Sequence, residues 1–103
     1  MRTLVSFSLG TEASNRALRD GSLPKLIETF MRDYKPEAAY FFTSDSGERG
    51  GLFVVDLADP SVAVQVAEFF WLMAVDAHVT LRPAINLDDL QAGLGRILRE
   101  LQL

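Results

Sequence analysis

The sequence predicts an α+β fold within a single domain that spans residues 1–103. Two segments alternate apolar and polar residues with the period of two that strands show, and two more are rich in aromatic and β-branched residues. Three further segments repeat apolar residues every three or four positions, which is typical of helices that cover a core on one side. No repeat, linker or low-complexity stretch divides the chain, and a hydrophobic content of 49% suffices for one core in 103 residues.

The first part of the chain predicts one strand and a broken helix. The strand presents Thr3, Val5, Phe7 and Leu9 on one face and Arg2, Leu4, Ser6 and Ser8 on the other. A helical stretch follows, is broken at Asp20-Gly21-Ser22, and restarts with apolar residues at helical spacing from Leu23 to Tyr34. Lys35-Pro36 ends this helix, because the residue before a proline is disfavoured in the α conformation.

The middle of the chain predicts a hairpin and a second helix. Residues 37–43 (EAAYFFT) and 51–57 (GLFVVDL) are rich in aromatic and β-branched residues and read as strands. SDSGERG between them supplies turn residues, so the two strands should pair in antiparallel fashion. Asp59-Pro60 then predicts the N-cap and the first residue of a helix that runs to about Met73.

A fourth strand and a final helix complete the order. Val75, Ala77, Val79 and Leu81 alternate with Asp76, His78, Thr80 and Arg82 in a strand that Pro83 ends. Asn86 can cap a helix whose apolar stripe consists of Leu87, Leu90, Leu94, Ile97, Leu98 and Leu101. The order βαββαβ plus a terminal helix favours a ferredoxin-like arrangement, in which an antiparallel sheet carries its two main helices on one face.

Composition and charge exclude several classes of function. The net charge of −4 opposes binding to phosphate backbones, so we expect no nucleic-acid partner. The chain has no cysteine and one histidine, which leaves neither disulfides nor the usual ligand set of a transition metal, and we expect no cofactor. The longest apolar run, from Phe69 to Val75, is far shorter than the roughly 20 residues that span a bilayer. We therefore expect a soluble, cytoplasmic protein without a membrane partner.

The predicted sheet has one face that a monomer cannot easily accommodate. If Val5, Phe7, Val55, Leu57, Val79 and Leu81 face the helices, the other face holds Leu4, Ser6, Leu52, Val54, Asp56, His78, Thr80 and Arg82. This second face is too apolar for solvent and too polar for a dry core. Stacking two such faces in a homodimer resolves the conflict, because apolar members pack together while polar members line a cavity. We therefore expect a dimeric α+β barrel.

The predicted helix over residues 60–73 supports the same expectation. Val62, Val66, Phe69, Phe70 and Met73 occupy one side, whereas Val64 and Trp71 lie off that side. A helix that is apolar over so much of its circumference is usually covered twice. Either the partner subunit or the C-terminal helix could supply the second cover.

Four sequence stretches carry a resemblance to a known family. RDG at 19–21, KPEAAYF at 35–41, VVDLADPS at 54–61 and AHVTLRPAINLDDL at 77–90 resemble a family of uncharacterised small bacterial proteins in the dimeric α+β barrel superfamily. These are turn and strand-end patterns, so the resemblance implies the fold and dimerisation without implying a reaction. Some members carry the label pantothenate synthetase, but this sequence has no counterpart of that ligase's HIGH-type motif.

The polar residues of the second sheet face are the candidate site. The ligand-binding candidates are Ser6, Asp56, His78 and Arg82. His78 is the one catalytic candidate, because a histidine titrates near neutral pH, although a lone histidine without an identified partner is more often an ordinary polar strand residue. Arg82 and Arg2 could bind a carboxylate or phosphate, or could form ion pairs with Asp56 or Asp76. Trp71 could form a pocket wall or could pack in the core.

These candidates favour a protein that binds a small molecule, and they leave open whether the protein also catalyses a reaction. The leading hypothesis is a homodimer that binds a small, partly apolar, possibly anionic molecule in the barrel cavity. The alternative is a cofactor-free isomerase, monooxygenase or decarboxylase that uses His78 as a proton shuttle. A module that docks onto other proteins is the second alternative.

Overall fold

The computed structural model describes residues 1–73 and 75–102 and confirms the α+β class. Within these residues the chain forms four strands and four helices. In chain order they are β1 (Arg2–Leu9), α1 (Thr11–Asp20), α2 (Ser22–Tyr34), β2 (Ala38–Thr43), β3 (Arg49–Asp56), α3 (Pro60–Leu72), β4 (Ala77–Pro83) and α4 (Leu87–Glu100).

The strands form one antiparallel sheet in the order β2-β3-β1-β4. The predicted hairpin is present as β2 and β3, and the first strand lies between β3 and β4. This order is compatible with a ferredoxin-like fold. Because β1 pairs with β3 on one side and with β4 on the other, residues that are far apart in the chain share rows across the sheet.

The core lies between the sheet and the helices α2 and α3. Val5 and Phe7 of β1 are buried on the predicted helix-facing side, as are Val55 and Leu57 near the end of β3. Aromatic rings fill the centre, where the ring of Phe30 lies 4.3 Å from that of Phe53. Full burial of such side chains stabilises a fold by roughly 1.5–3 kcal/mol each, so this layer dominates the free energy of folding.

The predicted helix boundaries are confirmed by their local chemistry. Gly21, with a φ of 84°, takes the left-handed conformation that separates α1 from α2. Lys35 ends α2, also in a left-handed conformation with a φ of 45°. The carboxylate of Asp59 caps α3 by accepting a hydrogen bond from the backbone N–H of Ser61 at 2.8 Å.

The fourth strand begins later than the alternation predicts. Val75 and Asp76 precede β4, which starts at Ala77. Asp76 has a φ of 50°, and the backbone N–H of Gly10 donates to the carbonyls of Val75 and Asp76 at 3.1 and 2.9 Å. This turn uses a left-handed residue to pass from the helix to the strand, which breaks the extended backbone before Ala77. Val75 is still buried, because it packs in the core from the turn.

The C-terminal helix forms as predicted but does not join the core. Asn86 caps α4 in a capping box with Asp89. Within the part of the chain that the structure describes, no residue of α4 is buried. The radius of gyration is 16.8 Å, whereas a compact domain of this length has about 13 Å, because α4 extends away from the sheet and helices. Among the described residues, no helix is long and apolar enough to cross a bilayer.

The outer side of α3 stays largely uncovered. Val64 is 64% exposed and Trp71 is 53% exposed. The C-terminal helix therefore does not provide the second cover that the apolar character of α3 predicts.

Candidate functional site

The side of the sheet that faces away from the helices is called the open face here. It contains Leu4, Ser6 and Ser8 of β1, Tyr40 and Phe42 of β2, Leu52 and Val54 of β3, and His78, Thr80 and Arg82 of β4. The strand register orders these side chains in rows. Tyr40, Leu52, Ser6 and Thr80 form one row, and Ser8 pairs with His78 in the next.

The open face is divided into an apolar half and a polar half. Leu52 and Val54 on β3 are half-buried, while Tyr40 on β2 is 62% exposed. The other half, on β1 and β4, carries serine hydroxyls, Thr80 and the exposed ionisable side chains of His78 and Arg82. The mixed character predicted for this face is therefore confirmed, and the register shows that it varies across the strands.

A groove of about 660 Å³ lies over the polar half. Its floor includes Ser6, Ser8, His78, Thr80 and Arg82, and its walls include Phe42, Trp71 and the turn residues Ser44, Asp45 and Ser46. Small-molecule sites generally have volumes of roughly 300–1,000 Å³, so the groove is large enough for such a ligand. Three of the four predicted ligand-binding candidates, Ser6, His78 and Arg82, line it.

Asp56, the fourth candidate, follows Val54 by two residues on the open face but lies outside the groove. Its carboxylate accepts a hydrogen bond from the amino group of Met1 at 2.9 Å, at the end of β3 that is remote from His78. The groove residues do not include it. Asp56 is thus held by the start of β1 and is separate from the other three.

The arginines differ in their partners. Arg2 forms an ion pair with Glu37 at 2.6 Å, which raises the pKa of its guanidinium, so the pairings considered for it with Asp56 and Asp76 are not formed. Arg82 forms no salt bridge with any residue in the ranges 1–73 and 75–102. Its guanidinium offers five N–H donors to a carboxylate or phosphate in the groove.

A hydrogen-bond network fixes the turn that walls the groove. The carboxylate of Glu48 accepts hydrogen bonds from the backbone N–H of Thr11 at 2.8 Å and from its hydroxyl at 3.1 Å. The hydroxyl of Ser46 donates to the same carboxylate at 3.1 Å. These bonds, foremost those from Thr11, lower the pKa of Glu48, and the nearby charge of His78 adds a smaller contribution. The wall is therefore held to the start of α1.

Sequence reasoning missed part of the groove. Ser8 shares the face of Ser6 by simple alternation and could have been found that way. Phe42 and Ser44 gave no such signal, because only the pairing of β2 with β3 brings them beside β1. The sequence left open whether Trp71 packs in the core or forms a pocket wall. In the structure Trp71 is half-exposed and lines the groove.

The groove offers particular kinds of chemistry. Arg82 provides a fixed positive charge, the hydroxyls of Ser6 and Thr80 provide neutral hydrogen bonds, and the imidazole of His78 provides a further donor or acceptor. Among the described residues, no group of three histidine, aspartate or glutamate side chains converges as a metal site would require.

Comparison with protein-family models, curated proteins and solved structures gives no match to this chain.

Proposed function

We propose that the protein is a cytoplasmic homodimer of the dimeric α+β barrel type, and that its groove binds a small, partly apolar, anionic molecule. The observation that carries the proposal is the position of Arg82. Arg82 lines the groove together with Ser6 and His78, and its guanidinium has no ion-pair partner among the described residues. An arginine in this position is available to an anionic ligand.

The composition of the open face supports the dimer. Leu4, Leu52 and Val54 form a half-buried apolar patch that is adjacent to Tyr40 at the sheet edge. Stacked sheets pack about 10 Å apart, so such side chains would meet across a two-fold axis. The polar half would then enclose the groove, which is open in one copy.

The walls of the groove support a ligand with an apolar part. Phe42 is 51% exposed and Trp71 is 53% exposed, and both lie beside the polar floor. Aromatic side chains bury large areas at low cost in conformational entropy, and a ring or aliphatic chain of the ligand would cover them. The negative group of the same ligand would contact Arg82.

The position of His78 favours a catalytic alternative. His78, Thr80 and Arg82 alternate along β4 on the open face, so the Cα atoms of His78 and Arg82 lie roughly 14 Å apart along the strand. A cofactor-free isomerase, monooxygenase or decarboxylase would use the imidazole to move a proton on the bound molecule. A third alternative, docking onto other proteins, would require the groove to be closed by a protein segment.

Two probe molecules test the binding site. 2-Naphthoate carries an anionic group on an apolar ring system, and 2-naphthamide is its neutral counterpart. Calorimetry on the wild type should show tighter binding of the anion, and Arg82→Gln should weaken that binding by at least about tenfold while leaving the amide unaffected. Arg32→Gln is the matched control, because Arg32 lies on α2 and pairs with Asp33. Equal affinity of both probes for the wild type would contradict the proposal.

Separate measurements test the dimer and the catalytic alternative. Sedimentation should show a dimer at micromolar concentration that Val54→Arg dissociates, whereas Leu18→Arg on the exposed side of α1 should not dissociate it. A wild type that sediments as a monomer would refute the dimer.

Mass spectrometry of molecules that copurify with the native protein would supply candidate ligands. If His78→Ala keeps the affinity for such a ligand and the wild type never turns it over, the enzymatic alternative fails.

A further inference from the structure

Three hydrogen bonds form a closed ring in the turn that walls the groove. The backbone N–H of Glu48 donates to the hydroxyl of Ser44 at 3.2 Å. The hydroxyl oxygens of Ser44 and Ser46 lie 2.9 Å apart, and the hydroxyl of Ser46 donates to the carboxylate of Glu48 at 3.1 Å. The ring therefore begins and ends on Glu48.

The charge of Glu48 fixes the direction of each bond in this ring. Hydrogen bonds from Thr11, and then from Ser46, lower the pKa of Glu48, so its carboxylate is ionised at neutral pH and can only accept. The one hydroxyl proton of Ser46 is therefore used on Glu48. The bond between the two serines must then be donated by Ser44. Both hydroxyl protons are thus committed inside the turn.

The side chains of this wall consequently present only acceptors to the groove. Ser44 and Ser46 each accept one hydrogen bond in the ring and keep one further lone pair, and the carboxylate of Asp45 between them is also an acceptor. All three residues line the groove. A carboxylate or an ether oxygen against this wall would meet no side-chain donor, whereas an O–H or N–H group would meet several acceptors.

The groove has the opposite character at Arg82, whose guanidinium has donors only. His78 shares a row of the sheet with Phe42, which lies just before the turn, and Arg82 lies roughly 14 Å farther along β4 than His78. Three strand spacings, also roughly 14 Å, separate β4 from β2. Arg82 and the turn are therefore at opposite corners of the open face, about 20 Å apart between Cα atoms.

We infer that the ligand of the groove is an elongated amphipathic anion that carries an O–H or N–H donor at the end remote from its negative group. The inference rests on the proposed function and names the ligand class of that same site. The negative group contacts Arg82, the donor contacts the turn at Asp45, and Phe42 and Trp71 cover the apolar middle. The reverse direction is disfavoured, because it would place the negative group against acceptors.

Four probes with the same chain test the acceptor wall. Dodecanoate has no polar group at its far end, 12-methoxydodecanoate has only an acceptor there, 12-hydroxydodecanoate has an O–H donor and 12-aminododecanoate has an ammonium group. Calorimetry on the wild type should show at least about fivefold tighter binding of the hydroxy acid than of the methoxy acid. The tighter of the hydroxy and amino compounds identifies the kind of donor. Equal affinity of the hydroxy and methoxy acids would overturn the inference.

The variant Glu48→Gln tests the direction of the ring. The N–H of Thr11 would hold the amide oxygen of the new side chain, so the amide nitrogen would donate to Ser46 and release a hydroxyl proton toward the groove. The preference for the hydroxy over the methoxy acid should fall below about twofold, while unchanged binding of dodecanoate shows that the groove is intact. Glu28→Gln, at an exposed site on α2, should keep the wild-type preference. A full preference in Glu48→Gln would contradict the assigned direction.

Dodecanoate separates this inference from the proposed function. It should bind the wild type at least about tenfold more tightly than Arg82→Gln. If it does so while the hydroxy and methoxy acids bind the wild type equally, the anion site stands and the inference about the far end is refuted. If dodecanoate does not bind the wild type, or binds Arg82→Gln equally well, both fail.

Discussion

Glu48, in the turn between β2 and β3, accepts two hydrogen bonds from Thr11, the first residue of α1. The two residues are 37 positions apart in the chain. The contact satisfies a free N–H group at the start of α1 and places a negative charge at the positive end of the helix. It also holds the turn that forms one wall of the candidate groove.

The pH dependence of stability should reflect this contact. The pKa of Glu48 in the folded protein is below its ordinary value of 4.5, so its contribution is complete above that value and is lost as the pH falls through the lowered pKa. Glu48→Gln should lower the melting temperature by a few degrees at neutral pH, and the difference from wild type should shrink in acid. Circular dichroism melts across this range measure it. Asp45→Asn in the same turn is the control, and a difference independent of pH would contradict the assignment.

Two valines on α3 should respond very differently to truncation. Val66 is completely buried, whereas Val64, two positions earlier, is 64% exposed. Val66→Ala removes two buried methyl groups and leaves a cavity, which should cost about 2 kcal/mol of the free energy of unfolding. Val64→Ala should change it by less than about 0.5 kcal/mol. Urea unfolding at a fixed protein concentration distinguishes them, and similar losses would indicate that the outer side of α3 is covered.

Gly51 and Gly93 should respond in opposite directions to alanine. A Cβ on Gly51 would lie 2.6 Å from the backbone oxygen of Tyr40 and 2.8 Å from the ring of Phe7, so the central strands would have to separate. Gly51→Ala should therefore destabilise the fold by roughly 1–3 kcal/mol. A Cβ on Gly93 meets nothing within 4 Å, and Gly93→Ala should stabilise α4 by up to about 1 kcal/mol. Thermal unfolding measures both; a neutral Gly51→Ala would refute the close approach.

The capping box of α4 should control the helicity of that segment. The backbone N–H of Asp89 donates to the side chain of Asn86 at 2.9 Å. Because no residue of α4 is buried within the described ranges, the stability of this helix depends strongly on the cap, and Asn86→Ala should weaken the helix by about 1 kcal/mol. Far-ultraviolet circular dichroism should show a loss of helical signal. Gln91→Ala, in the interior of the same helix, should not reduce it.

Much of the fold follows from patterns over a few residues. The alternation around Val5 correctly predicted the two faces of β1, and Asp59 and Asn86 correctly predicted the starts of α3 and α4. The start of β4 was predicted two residues too early, since apolar alternation does not reveal the left-handed backbone of Asp76. Patterns of this kind report side-chain direction, not the path of a turn.

Less of the candidate site could be predicted. The alternation placed Ser6, Asp56, His78 and Arg82 on one face, but the separation of Asp56 from the groove follows from its strand pairing with Arg2 at the far end of β3. The walls at Phe42 and Trp71 depend on strand register and on the position of α3. Such contacts join residues that are tens of positions apart, and no local pattern encodes them.

The sequence alone determined which residues share one side of each predicted strand and helix, because side-chain direction repeats every two residues in a strand and every 3.6 in a helix. Only the tertiary structure decided that Phe42 and Arg82 border the same groove, and that α4 leaves the domain with its apolar stripe uncovered. The first depends on the order of the strands in the sheet, which places β3 and β1 between β2 and β4. That order is set by the packing of the whole chain.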